Sequence, residues 1–333
     1  MTSSVKAGSE PESGAFLPVV RAAKLADAPE TEQWLVASLW GRAAVGILGG
    51  APKCCKSWLA LELAVSVASR TPCLGRFDAL DPGSVMLYMA EDSASVVKTR
   101  LAGLCAHRGI GLEGMPIDVI TAPSVRIDRE RDQERLLQTV RRSAPRLLVL
   151  DPFVRLHRVD ENDAGQVSAV LGYLRTLQRE LDVAVLVVHH ARKNGGAGGQ
   201  AGQSLRGSGD LHAWGDSNLY LRRQQGSLTL TVEHRAAAAP DPLALRLVPT
   251  RGGDAHLALV TPDEEPARSA LELEQRIVST LASAREPLGR TALRDKIRVR
   301  NERLGEALTR LTASGAILRA GDHWSVPVPS PTP

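Results

Sequence analysis

Five short apolar runs alternate with amphipathic stretches over the first two thirds of the chain. Each run is rich in Val, Leu or Ile at consecutive positions, which is typical of strands buried on both faces of a parallel sheet. Alternation at this spacing predicts an α/β domain whose mainly parallel sheet is covered by helices on both faces. The runs are AAVGILGG (43–50), SVMLYMAED (84–92), IDVITAP (117–123), RLLVLD (146–151) and VAVLVVHH (183–190).

The segments between these runs place apolar residues at helical spacing. They predict helices at 57–69, 94–108, 129–142 and 165–181. The last part of the domain changes character, because its apolar residues alternate with period two. That pattern predicts antiparallel strands added at one edge of the sheet, at 217–223, 227–234 and 243–250.

Length and composition predict two folded units. A chain of 333 residues is long enough for about two domains, and 43% hydrophobic residues can fill their cores. We expect a flexible tail, the α/β domain, a linker, a small second domain and a Pro-rich tail. Their predicted bounds are 1–28, 29–257, 258–268, 269–326 and 327–333.

The charge and the cysteines narrow the class of protein. The net charge of +4 resides in residues 268–333, where eleven Arg and Lys face seven Asp and Glu, so any affinity for polyanions belongs there. No run of about 18 apolar residues predicts a membrane span. No basic-then-apolar leader is visible, and the four cysteines form no CxxC pair. We therefore expect a cytoplasmic protein with reduced thiols and no membrane partner.

A phosphate-binding loop is predicted where the first apolar run meets the first helix. The pattern GxxxxGK[ST] at this position cradles phosphates with backbone N–H groups, reaches them with its lysine and ligates Mg²⁺ with its hydroxyl. ATP and Mg²⁺ are the expected ligands. The predicted binding residues are Gly50, Ala51, Pro52, Lys53, Cys54, Cys55, Lys56, Ser57 and Trp58.

One residue of this loop departs from the pattern. Cys55 stands where the pattern has glycine, a residue that tolerates unusual dihedrals and lets backbone approach an anion closely. A chance loop, or a site that has lost phosphate binding, is the alternative interpretation. Two adjacent thiols beside a cationic loop also suggest sensitivity to oxidation.

Two carboxylates and two histidines end the neighbouring runs. Asp151 can hold Mg²⁺ together with Ser57, although a strand-end turn would also explain it. Glu91 can activate the water that attacks the terminal phosphate, or it can belong to the cap of the next helix with Asp92 or Ser93. Of His189 and His190, one side chain should point toward the nucleotide. A lone strand-end histidine is more often structural.

The sequence of the C-terminal unit predicts three helices and a hairpin. Apolar residues recur at helical spacing through 269–315, with Gly315 as a stop. This order is similar to small winged-helix DNA-binding domains, whose third helix enters the major groove. DNA contacts are predicted at Arg300, Asn301 and Arg303, with partner docking or a purely structural role as the alternative. Arg310 on this helix and Arg319 and His323 on the hairpin are further candidates.

The motif series as a whole resembles RecA-like AAA-type ATPases, and among them the RepA-type hexameric plasmid-replication helicases. The resemblance spans roughly residues 31–250 and rests on GGAPKCCKSWLALELA, LYMAED, LLVLDPF, VLVVHH, SLRGSGDLHAWGDSNLYLRR and LTVEHRA.

The resemblance implies a RecA-like P-loop core, ATP with Mg²⁺, and a homo-oligomeric ring in the form of a hexamer, with shared active sites. It implies Lys56, Glu91 and a strand-end histidine as catalytic residues. Arg235 matches the arginine finger that a neighbour supplies, with Arg222 and Arg223 as alternatives. Arg206, after the Gly/Gln-rich stretch 193–203, matches the region that faces the central channel and DNA.

Two functions are therefore expected. The first is an ATP-hydrolysing ring ATPase that acts on DNA, as a helicase or replication motor. The second is a nucleotide-binding regulator or scaffold that does not translocate, has weak or no ATPase activity, and uses the C-terminal domain for docking. Cys55 favours the second function, and the series of Glu91, Asp151 and Arg235 favours the first.

Overall fold

The structure is a computed structural model that describes residues 19–25, 33–161, 163–190, 209–224, 227–250, 255–260, 264–284 and 286–327. Several predictions lie outside these residues. They concern most of the N-terminal tail, the Gly/Gln-rich stretch 193–203, Arg206 and the Pro-rich tail beyond residue 327.

The described residues form three sheets. A two-stranded sheet pairs β1 (Trp34–Val36) with β2 (Trp40–Gly41), and a three-stranded sheet lies near the C-terminus. The third and largest sheet has nine strands. These are β3 (Val45–Gly50), β4 (Val85–Met89), β5 (Ile117–Val119), β6 (Leu147–Asp151), β7 (Ala184–His190), β8 (Ser217–Gln224), β9 (Ser227–His234), β10 (Leu243–Pro249) and β11 (Ala255–Leu259).

The nine-stranded sheet has the order β11-β10-β9-β8-β3-β7-β6-β4-β5. From β8 to β5 all neighbouring strands are parallel. From β8 to β11 they are antiparallel. The predicted α/β class, with a mainly parallel sheet and antiparallel strands at one edge, is confirmed. Strand β7 separates β3 from β6, so the two strands with the predicted phosphate and metal residues are not neighbours.

Helices cover both faces of this sheet. They are α1 (Lys56–Ser69), α2 (Ala94–His107), α3 (Glu130–Ser143), α4 (Ala164–Leu181) and the short α5 (Gly209–Trp214). Alternate residues of one strand belong to different cores: Val45 and Ile47 pack with α3 and α4, whereas Leu48 packs with α1 and α2. Burial on both faces is the reason why these strands are apolar without alternation.

The start of β3 lies unusually close to the start of β8. A Cβ at Gly46 would lie 1.7 Å from the carbonyl oxygen of Ser217. Side chains from β8 and the residue before it hold β3 at this point: Asn218 Oδ1 accepts from the Ile47 N–H at 3.0 Å, and Asp216 Oδ2 accepts from the Val45 N–H at 3.3 Å. A glycine is therefore required at position 46.

The C-terminal residues form a separate hydrophobic core. Helices α6 (Glu264–Ala282), α7 (Arg290–Ile297) and α8 (Asn301–Ala313) pack with a sheet of order β12-β14-β13, made of β12 (Leu288–Gly289), β13 (Leu318–Ala320) and β14 (His323–Ser325). Buried Ile277, Leu293, Leu304 and Trp324 belong to this core. The expected linker at 258–268 overlaps the end of β11 and the first turn of α6. Within the described residues, no helix is long and apolar enough to cross a membrane.

Replacing Gly46 by alanine is expected to destabilise the protein. The added Cβ must push β3 away from β8, an overpacking that costs about 1–3 kcal/mol, and we expect the upper end because the obstacle is backbone. Gly172→Ala is the matched control, since nothing lies within 4 Å of a Cβ at that position in α4. It should raise the free energy of unfolding by about 0.5–1 kcal/mol. Urea unfolding of both variants tests this, and equal stabilities would contradict it.

Candidate phosphate-binding site

The loop between β3 and α1 follows Gly50, a closely packed residue at the end of β3. Gly50 has φ +154°, and a Cβ there would lie 2.3 Å from the Leu221 carbonyl oxygen and 2.7 Å from Cys54 Sγ. Lys53 and Cys55 both have left-handed backbone, with φ of 63° and 66°. The loop opens at the carboxyl ends of β3 and its parallel neighbours, which is where ligands bind in open α/β sheets.

Cys55 occupies the position directly before α1 with φ 66° and ψ 24°. This is the left-handed conformation, which costs a residue with a Cβ about 1–2 kcal/mol and costs glycine little. The backbone therefore has the shape that the glycine of the pattern would provide, and the cysteine adopts it at a cost. Arg223 of β8 donates to Cys55 Sγ at 3.2 Å.

Lys56 is a buried cation that closes the loop on itself. Its Nζ donates to the carbonyl oxygens of Gly50 and Ala51, both at 2.9 Å, and lies 3.8 Å from Cys54 Sγ. Burial lowers the pKa of the Lys56 ammonium, and the neighbouring Cys54 and Asp151 partly offset this shift. An incoming anion would give this buried charge a better partner than two carbonyl oxygens.

Asp151 ends β6 and is buried beside α1. Burial raises the pKa of its carboxyl group from 3.8 to about 6, while a hydrogen bond from Ser57 and the charge of Lys56 pull it down. Its Oδ2 atom is buried without a hydrogen-bond partner in the described part of the chain. An unpartnered carboxylate oxygen beside a serine hydroxyl fits a hydrated Mg²⁺ ion, which prefers oxygen ligands.

Glu91 lies two residues beyond β4, and its carboxylate faces other side chains rather than the end of α2. Oε1 accepts from Arg155 Nε at 2.9 Å, and Oε2 lies 4.0 Å from His190 Nε2. The cap of α2 is Ser93, which accepts from the Val96 N–H. Asp92 pairs with Arg100 at 2.6 Å. Of the two interpretations of Glu91, the structure thus gives no support to the helix cap.

The two histidines at the end of β7 point to different faces of the sheet. His190 is in register with Gly50 and lines the same cavity as Lys56 and Asp151. Burial and the Lys56 ammonium lower its pKa, which favours neutral imidazole. His189 packs against Phe153, with ring centroids 5.9 Å apart, and its Nε2 lies 3.5 Å from Glu161. His190, and not His189, therefore faces the loop.

Arg235 lies beside the ends of the strands that are opposite to the loop. It follows His234, which is in register with Ser217 at the start of β8. Its guanidinium lies 3.3 Å from Asp216 Oδ1 and donates to the Ala213 carbonyl oxygen at 2.6 Å. The distance from this end of the strands to the loop is the length of β3, roughly 16 Å at about 3.3 Å per residue. Arg235 is therefore not part of the cavity of its own subunit.

The loop lines a cavity of about 260 Å³ that contains residues the sequence did not single out. Met89 and Arg100 border it, and the Arg100 guanidinium lies 5.2 Å from the ring centroid of Trp58. Arg155, which pairs with Glu91, was also missed. The sequence contained a signal for Arg100. Val97 and Leu101 belong to the buried face of α2, and Arg100, between them, therefore borders that face.

The predicted DNA-binding residues of the C-terminal unit gather at the start of α8. Arg300 is the residue before the helix, and Asn301 and Arg303 are exposed in its first turn. Arg310 pairs instead with Glu274 of α6 at 2.6 Å. Arg319 lies over the Trp324 ring at 5.4 Å. Arg300, Asn301 and Arg303 thus lie together at the start of α8, whereas Arg310 lies further along the same helix.

A family comparison agrees with this geometry. The family model described as "AAA domain" matches residues 10–196, more than half of the chain. The protein therefore belongs to the AAA domain family of P-loop proteins, and membership in this family implies nucleotide binding.

The fold is also similar to a solved structure described as a DnaB-like replicative helicase and its interactions with primase. The identity is 17%, the TM-score is 0.49, and the match covers 65% of this chain and 57% of the other. The chain thus spans little more than half the length of that helicase.

Asp151→Asn is expected to stabilise the ligand-free protein near neutral pH. The folded-state pKa of about 6 lies above the ordinary 3.8, so the folded state binds the proton more tightly and loses stability as pH rises between these values. A shift of this size corresponds to about 2–3 kcal/mol. Urea unfolding should show the variant more stable by this amount at pH ~7.5 and nearly equal at pH ~4. A difference independent of pH would contradict the prediction.

Proposed function

We propose that the protein binds ATP with Mg²⁺ and hydrolyses it, as a ring ATPase that acts on DNA. One observation carries the proposal. The loop of an AAA domain, the unpartnered Asp151 Oδ2 atom, Glu91 and His190 border a single cavity at the carboxyl ends of parallel strands. The residues to which we assign phosphoryl transfer to water, other than the one supplied by a neighbour, border this cavity.

Phosphate binding would begin with the release of Lys56 from the loop carbonyl oxygens. The buried ammonium exchanges two neutral acceptors for anionic phosphate oxygens, and charged hydrogen bonds of this kind are the stronger ones. The N–H groups at the start of α1 are free of side-chain caps, because Cys55 makes no cap hydrogen bond. These N–H groups and the helix dipole favour an anion at the same place.

Ser57 and Asp151 are the residues that would hold Mg²⁺. The ion supplies positive charge that offsets the charge developing on the phosphate oxygens during transfer. Asp151 gains from this arrangement, since a cation beside its buried carboxylate favours the ionised form and opposes the effect of burial on its pKa.

Glu91 is the residue proposed to orient and deprotonate the attacking water. Its carboxylate is about half exposed at the cavity and is paired with Arg155. An exposed ion pair of this type is worth only about 0–1 kcal/mol, so the carboxylate can change partners without a large cost. His190, with its lowered pKa, would be a neutral neighbour of the reacting phosphate.

Shared sites are supported by the placement of Arg235. Arg235 lies at the end of the strands away from the loop, so it cannot reach the cavity of its own subunit. Its side chain is accessible to another copy of the chain. Its guanidinium is more than half exposed while held by Asp216. We propose that Arg235 completes the site of a neighbouring subunit and that the ring is a hexamer.

DNA binding is proposed for the C-terminal unit. The element order of α6, β12, α7, α8 and the β13–β14 hairpin, with β12 paired to β14, supports a winged-helix interpretation. Arg300, Asn301 and Arg303 would then contact DNA from the start of α8. Arg206, outside the described residues, is proposed to face DNA in the channel of the ring.

The second candidate is a nucleotide-binding regulator or scaffold that does not translocate. The strained cysteine before Lys56 favours it, because Cys55 stands where the phosphate-loop pattern has glycine. The ATPase rate of the full chain, measured with and without single-stranded and duplex DNA, separates the two. Stimulation by DNA supports the motor, and ATP binding without turnover supports the regulator.

Lys56→Ala is expected to abolish ATP binding. The variant removes the buried side-chain cation that faces the phosphates, and titration calorimetry with ATP and Mg²⁺ should detect no heat of binding. Lys98→Ala on the exposed face of α2 is the matched control and should bind normally. Unchanged affinity in Lys56→Ala would refute the phosphate site.

Glu91→Gln should keep ATP binding and lose hydrolysis, since a general base is worth about 10²–10⁴-fold in rate. Arg155→Gln is the control, because it breaks the same ion pair and leaves the carboxylate in place. Steady-state phosphate release measures both variants. If Glu91→Gln hydrolyses at the wild-type rate, the activating carboxylate is another residue.

Mixing two inactive variants should restore activity if sites are shared. Arg235→Ala subunits keep an intact cavity, and Glu91→Gln subunits keep an intact arginine, so mixed rings contain some complete sites. The control mixture of Lys56→Ala with Glu91→Gln should stay inactive. Lys56 and Glu91 line the same cavity, so every cavity in the mixture lacks one of them. Activity per subunit should also rise with concentration. Mixed rings without recovery would refute shared sites.

A further inference from the structure

The phosphate loop carries an accessible thiol that the proposed ATPase reaction does not use. All four cysteines lie in the described part of the chain and are free. Cys54, Cys73 and Cys105 are at most 1% exposed, and burial raises the pKa of each thiol. Cys55 alone among them is half-buried, and it borders the cavity. Any reagent that reacts with the folded protein should therefore meet Cys55 first.

Two further observations point to a ligand at this thiol. Arg223 places its guanidinium 3.2 Å from Cys55 Sγ, although the arginine is itself exposed and extends from a different strand. Asp151, 6% exposed, leaves Oδ2 unpartnered on the wall of the same cavity. The thiol thus lies between the Arg223 guanidinium and a cavity in which Asp151 Oδ2 has no hydrogen-bond partner among the described residues.

We propose that Cys55 is a site of reversible modification by a small anionic disulfide such as glutathione disulfide. Arg223 contacts the thiol, and Lys53 and Lys56 line the same cavity, which also holds the carboxylates of Glu91, Asp92 and Asp151. The contact with the Arg223 guanidinium favours an anionic disulfide at this sulfur. If the proposed nucleotide site is correct, the adduct fills the cavity of about 260 Å³ that the phosphates would occupy.

The reaction is a thiol–disulfide exchange. The Cys55 sulfur attacks one sulfur of glutathione disulfide, a new S–S bond forms, and the old S–S bond breaks. The Cys55 sulfur is oxidised, one half of the reagent is reduced to glutathione, and the thiol proton of Cys55 passes through solvent to the departing sulfur. Attack proceeds through a mixed disulfide of this kind in general.

The neighbouring thiol is placed so that it does not resolve the adduct. Cys54 is 1% exposed, and its Sγ lies 3.8 Å from Lys56 Nζ. Burial disfavours its rotation toward the half-buried Cys55. The mixed disulfide should therefore persist until an external thiol such as dithiothreitol removes it.

The test treats the full-length protein with glutathione disulfide under native conditions and locates the adduct by mass spectrometry of its peptides. We expect one adduct, on Cys55, that dithiothreitol reverses. Cys55→Gly should gain none, and the matched control Cys105→Ser should still gain one. An adduct on a buried cysteine, or no adduct on native protein, would overturn the proposal.

The role of Arg223 is tested with two reagents of different charge. Wild-type protein should react severalfold faster with the dicarboxylate dithiobis(nitrobenzoate) than with a neutral dipyridyl disulfide, relative to a free-thiol standard. Arg223→Gln should lose much of this preference, and Arg223→Lys should keep it. An unchanged preference in Arg223→Gln would overturn the assigned role of the cation.

These readouts do not depend on ATP hydrolysis, so the two proposals can fail separately. ADP should slow the modification of Cys55 if both are correct. If Cys55 reacts as described but ADP gives no protection and the adduct still binds ATP, the nucleotide site is refuted and the modification site stands.

Discussion

The close contact between β3 and β8 is the constraint on which the site depends. At Gly46 and again at Gly50, the backbone of one strand lies where a Cβ would have to be. The two glycines let β3 lie deep between β7 and β8, and the position of Gly50 fixes where the loop starts. The positions of the later loop residues depend on Gly50, because only five residues separate it from the first turn of α1.

A second constraint is electrostatic. The sheet buries an ammonium and a carboxylate, Lys56 and Asp151, at the same edge, and burial shifts the pKa of each group toward its neutral form. Neither group has an ideal partner: Lys56 uses carbonyl oxygens, and one oxygen of Asp151 has none among the described residues. Such a site is less stable without a ligand than its packing alone would allow. Stability is exchanged for readiness to bind, as is common at functional sites.

Much of this architecture could be predicted from the sequence, because it depends on local patterns. Uninterrupted apolar runs such as VAVLVVHH indicate strands buried on both faces, and the position of Lys56 after a strand indicates the loop. What could not be predicted depends on register. The choice between His189 and His190 is decided by the pairing of Gly50 with His190. The contacts of Arg155 with Glu91 and of Arg223 with Cys55 join residues 64 and 168 positions apart.

The linker prediction shows a different limit. Thr261 to Pro266 has the composition of a connecting segment, yet α6 begins at Glu264. A proline in the first turn of a helix lacks only an N–H that would have had no partner in any case. Composition indicated a break in the chain, and the position of Pro266 near a helix start was the signal that outweighed it.

The left-handed backbone of Cys55 also affects the chain before it folds. A glycine at this position would adopt the conformation without strain, but it would sample many more conformations in the unfolded chain and lose them all on folding. The cysteine restricts the unfolded ensemble and so recovers part of the energy that its dihedrals cost. The difference in folding free energy between cysteine and glycine at this position is therefore smaller than the strain alone. A loop without glycine at this point also has fewer backbone conformations to sample during folding.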